Sequence, residues 1–238
     1  MLPEMILEEE EQHEYTRLVI AGGLSAVAGF LFAQALFPSQ KAVLAPVFAS
    51  IPLIYPLMTY YLEEESHPEF FTETSVYASL FIGITSAFFA ISFFTPESFG
   101  IQLELLGVSG YATAEASFLS VLVNNFTVFT GILLASFILG SAGAFILVWN
   151  ASVLGVFFAH LVRDLSGLEA VVSTSSPLAY LPHASLEMTG FIVAGILGTT
   201  ASASVYREHW GLEHWKKLLK LLGVGIVAII AGAFIETV

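Results

Sequence analysis

The stretch from Phe118 to Val162 does most to decide what this chain can fold into: it is nearly unbroken hydrophobic sequence and too long to cross a bilayer once. One crossing takes about 20 apolar residues at a rise of about 1.5 Å each. The run must therefore fold back on itself, and Gly140-Ser141-Ala142-Gly143 is where it can turn. Two spans result, about Phe118–Leu139 and about Ala144–Val162.

The rest of the chain repeats the pattern. Over 238 residues, 56% are hydrophobic and 11% charged, which excludes an ordinary soluble globular domain. Five more candidate spans follow: about Leu18–Phe37, Ala42–Leu62, Val76–Phe94, Pro182 to just before Arg207, and Lys217–Ile235. The fold class is all-α, a polytopic transmembrane helical bundle of about seven spans. An acidic tail (residues 1–17) precedes a single transmembrane domain (residues 18–238). Thr95 to Ala116, with Pro96, Gly100, Gly107 and Gly110 and no lysine or arginine, reads as an extramembrane loop holding a short interfacial helix between spans three and four. Span two carries Pro46, Pro52 and Pro56; each removes a backbone donor, so this helix is expected to be kinked or partly unwound.

The net charge of -13 is concentrated in Glu8 to Glu14 and in Glu63 to Glu73, which keeps those segments out of lipid and makes nucleic acid an unsuitable ligand. With no cysteine, disulfides, thiolate zinc sites and cysteine nucleophiles are excluded. The acidic start does not resemble a cleaved signal peptide, so the first span is expected to stay as an anchor. Seven spans put Arg17, Arg207, Lys216, Lys217 and Lys220 on the N-terminal side and Lys41 and Arg163 on the other, which predicts a cytoplasmic N-terminus and an outside C-terminus. Trp210 and Trp215 fit an interfacial belt beside the lysines.

Against this apolar background Glu187 stands out as the ionisable side chain well inside a span, and such groups are retained for a reason. It follows His183 by one helical turn in Pro182-His183-Ala184-Ser185-Leu186-Glu187, so a helix starting near Pro182 shows both on one face. The same topology brings Asn124 and Asn125 of span four and His160 at the outer end of span five to that level, with Asn150 nearer mid-depth. A polar clamp between helices, or a proton or cation site, would each use this set. A catalytic metal needs three or four ligands, and His-x-x-x-Glu supplies two, so neither a metal nor a cofactor is expected. Gly190, Ala194 and Gly198 of span six, like Ala21, Ser25 and Gly29 of span one, have the small-residue spacing that allows close helix packing within the chain or with a second copy.

Asn124-Asn125 opening a span, Gly140 at its end, Asn150 and Gly155 in the next, and Pro182-His183-Ala184-Ser185-Leu186-Glu187 followed by Gly195 and Gly198 together resemble the stage II sporulation protein M family. That family's pattern has an asparagine pair, a glycine-rich hairpin with an Asn-Gly step, and Pro-His-Gly-x-x-Glu. Here Ala151 and Ala184 stand in place of the two glycines. The resemblance covers about residues 76–238. It implies an integral membrane protein that holds other proteins, in spore formers peptidoglycan-degrading enzymes, without being a hydrolase itself. Similar proteins also occur in bacteria and archaea that form no spores, and an acidic, cysteine-free composition suits an archaeal source. The residue-level alternatives are a transporter or channel with His183 and Glu187 in its pathway, and an intramembrane metal-dependent hydrolase.

Overall fold

The computed structural model describes residues 11–63, 70–102, 117–140, 143–165, 177–206 and 211–237, and every regular element among them is helical. In chain order these are α1 (Glu11–Leu36), α2 (Lys41–Glu63), α3 (Phe70–Phe94), a single 3-10 turn (Pro96–Phe99), α4 (Phe118–Leu139), α5 (Ala144–Leu165), α6 (Pro177–Tyr206) and α7 (Leu212–Thr237). Six of them (α1, α3, α4, α5, α6 and α7) are long and apolar enough to cross a membrane; in α2 the described apolar part runs over Lys41–Tyr55.

Local chemistry sets several of the boundaries. Ser117 is extended, and its Oγ accepts the Ser120 amide at 3.3 Å, an ordinary serine N-cap for α4. Gly140 then stops α4 at φ 67, a conformation that side chains resist. Two sequence expectations need correction. The helix holding His183 and Glu187 begins at Pro177, not near Pro182, which lies inside it. Either proline suits a first turn, and the earlier one takes that position. The expected unwinding of the proline-rich span is also not found: α2 is continuous from Lys41 to Glu63, through Pro46, Pro52 and Pro56.

The chain divides into two compact units whose boundaries fall within α2, α3, α5 and α6. The first contains residues 1–52, 78–115 and 148–179. In it, α1 lies so close to α2 that a Cβ on Gly29 would come 2.5 Å from the Ala49 nitrogen, and Ser25 Oγ donates to the Ala49 carbonyl at 2.6 Å. A Cβ on Gly22 would meet the Leu80 carbonyl of α3 at 2.5 Å, and one on Gly155 of α5 would meet the Thr85 carbonyl at the same distance. The small face of α1 is therefore used for close packing inside the unit. The segment after α3 also turns inward. Phe99 is fully buried, stacked on Phe30 at 5.7 Å and edge-on to Phe88 at 6.0 Å, so the expected loop begins as part of the packed interior. The interfacial helix expected farther along lies outside the described residues, as do Met1–Glu10, Trp210 and Ser173–Ser176.

The second unit contains residues 53–77, 116–147 and 180–238. Its axis is α6, buried at every position from Gly190 to Thr200. Gly190 and Gly198 do not share one dimerisation face. Gly190 admits Ile229 of α7, whereas Gly198 sits against the Leu133 carbonyl and Ser136 of α4. Leu147 of α5 and Tyr77 of α3 close around Gly195.

Candidate functional site

The site forms where α4, α6 and α7 meet. Ser117 starts α4, and the resulting register turns Asn125 inward, where it is buried. Its Nδ2 donates to Glu187 Oε1 of α6 at 2.5 Å. Asn124, one position earlier, is exposed, and its Nδ2 donates to Asn125 Oδ1 at 3.4 Å. The asparagine pair thus divides its work: Asn125 binds the carboxyl, and Asn124 extends the amide chain to the outer surface of α4.

A third helix completes the cluster. α7 runs antiparallel to α6, with Ile229 against Gly190 and Gly232 against Glu187. A Cβ on Gly232 would lie 2.7 Å from Glu187 Cγ and 3.3 Å from the His183 carbonyl oxygen, so the glycine provides the space in which the carboxyl side chain sits. One turn farther along this pairing, Glu236 comes opposite His183. Its carboxyl interacts electrostatically with that of Glu187 and with the His183 imidazole. Two carboxylates that interact repel one another, so the pair is a place where a proton, or a cation replacing it, would relieve repulsion.

Sequence reasoning missed Glu236. It sits in the last turn of α7, just past the hydrophobic window, where a carboxylate looks like an ordinary solvated end. The antiparallel register between α6 and α7 is the signal that could have found it. Asn150 and His160 are half-buried on the part of α5 that belongs to the first unit, outside the unit holding Asn125 and Glu187. Of the proline and glycine positions singled out, Pro46 is fully buried in the first unit, Pro52 is exposed, and Pro56 continues the helix. Gly140, Gly190 and Gly198 act in the second unit as a helix stop and two close-approach points.

These groups are suited to binding and to proton exchange. Among the described residues, no group of three or more His, Cys, Asp or Glu side chains is placed to hold a metal ion. Glu187 is held by an amide and faces a second carboxyl, an arrangement that can hold a proton or a cation.

The family model described as Stage II sporulation protein M matches residues 24–238, which include every member of this cluster. No curated protein and no solved structure matches the chain.

Proposed function

We propose that this chain, which belongs to the stage II sporulation protein M family, is a multi-pass membrane scaffold or assembly factor and not an enzyme. The single observation that supports this reading best is the Asn125–Glu187 hydrogen bond, which ties α4 to α6 through a buried amide. Glu236 and the Gly232 contact bring α7 onto the same point. Polar contacts of this kind hold transmembrane helices in one arrangement and so give a fixed outer surface on which other proteins can assemble. In this reading α2 is a seventh crossing, the N-terminus is cytoplasmic, the C-terminus is outside, and protein partners, with a second copy of the chain among the candidates, bind in the plane of the bilayer.

Crosslinking in the native membrane followed by purification tests it. A reproducible set of partner proteins, lost from a Glu187→Ala variant that still inserts, is the expected result. Purification of the chain alone from every crosslinked sample would refute the scaffold role.

The Glu187–Glu236 contact favours one alternative, a transporter or channel for protons or small cations. It requires flux in proteoliposomes that Glu187→Gln abolishes. Equal flux by both proteins, or none across a panel of cations, would exclude it.

A further inference from the structure

Pro46 lacks the N–H that would bond to the carbonyl four residues earlier, so the Ala42 carbonyl lacks its usual α-helical donor. Nevertheless the helix continues through this point with Pro46 fully buried. A buried carbonyl without a donor is costly, and the cost rises in a medium without water. The missing donor comes from elsewhere in the first unit: Gln102 Nε2 bonds to the Ala42 oxygen at 2.6 Å. Gln102 follows the 3-10 turn after α3 and has no exposed surface. Directly after Thr95, Pro96-Glu97-Ser98-Phe99 begins the inward path, and Phe99 is wedged between Phe30 of α1 and Phe88 of α3.

We infer that the segment from Pro96 to Gln102 is a latch for the proline-containing helix, with Gln102 as the substitute donor for the carbonyl that Pro46 leaves open. Two parts give it hold: the Phe99 ring anchors the segment in the aromatic contacts, and the Gln102 amide closes the gap in α2. Among the described residues the amide oxygen of Gln102 has no hydrogen-bond partner, so the donor end makes the side chain's polar contact. When the latch is closed, the first turns of α2 behave as an unbroken helix. When the segment withdraws, the Ala42 carbonyl loses its donor and those turns are free to bend at Pro46. The latch thereby couples the Pro96–Gln102 segment to the geometry of α2. This device does not depend on the scaffold reading, because it involves neither Glu187 nor its neighbours.

A double-mutant cycle on the full chain in detergent tests it. Gln102→Met keeps the length and apolar bulk of the side chain but removes the donor, and is expected to lower Tm by roughly 4 °C. Pro46→Ala restores the backbone N–H, so in that background the same replacement should cost clearly less than half as much. Hydrogen exchange supplies a second readout: Gln102→Met should speed exchange at Leu44 to Ser50 by about tenfold, and Pro46→Ala should reverse it. Equal Tm losses in both backgrounds, or unchanged exchange in α2, would overturn the latch. If Pro46→Ala does not accumulate, the exchange comparison between wild type and Gln102→Met decides alone.

Discussion

α6 and α7 are neighbours built on opposite principles. α7 is the most hydrophobic of the six spans, yet 39% of its span is buried, whereas α6 is the least hydrophobic and 78% buried. In a water-soluble protein that order would be reversed. In a bilayer the solvent is itself apolar, so burying leucine gains little, and interior positions go to residues that lipid serves badly: glycines that allow backbones to touch, hydroxyls and a carboxyl. The consequence for function is direct. Polar chemistry in this chain should be sought around α6, and α7 contributes through the few residues that face it, Gly225, Gly232 and Glu236.

Equal substitutions in the two helices should therefore have unequal effects. The largest contrast is expected for a leucine in place of glycine. Gly198→Leu drives a side chain into the Leu133 carbonyl and Ser136, and should cost about 3 kcal/mol or prevent accumulation. Gly223→Leu on α7, where a Cβ meets nothing within 4 Å, should change stability by less than about 0.5 kcal/mol. Thermal unfolding of both in one detergent is the check, and equal losses would break the comparison.

Next in size is loss of the buried amide. Asn125→Leu leaves the Glu187 carboxyl without its donor and should cost about 2 kcal/mol, while Asn124→Leu, exposed on the same helix, should cost less than about 0.5 kcal/mol. Gly232→Ala should cost about 1 kcal/mol, because the methyl group meets the movable Cγ of Glu187 before it meets backbone. Val227→Ala, on the exposed face of α7, should be close to silent within about 0.5 kcal/mol, since lipid replaces the lost contact.

The sequence was most readable where hydropathy and punctuation agree. α4 begins and ends where the serine cap and Gly140 mark it, and the break between α4 and α5 follows from length alone. Asn125 and Glu187 could be placed near one level because alternating spans fix relative depth. Asn150 and His160 lie on the stretch of α5 that belongs to the first unit. Glu236 and Gln102 were illegible. Glu236 looks like a polar residue at the edge of a span and Gln102 like one in a loop, and only packing reveals that the first faces a carboxyl and the second donates to the carbonyl that Pro46 leaves open. Pro177 and Pro182 are equally good helix starts in isolation, so local chemistry could not choose between them.

The central claim is that an amide from α4 holds the Glu187 carboxyl inside the helix cluster, and a double-mutant cycle measures it most directly. Stabilities of the wild type, Asn125→Leu, Glu187→Leu and the double variant, taken under one set of detergent conditions, give the coupling between the two side chains. A favourable coupling of about 1 kcal/mol or more is expected. Additivity within about 0.3 kcal/mol would mean that the two groups do not act on one another, and would contradict the account.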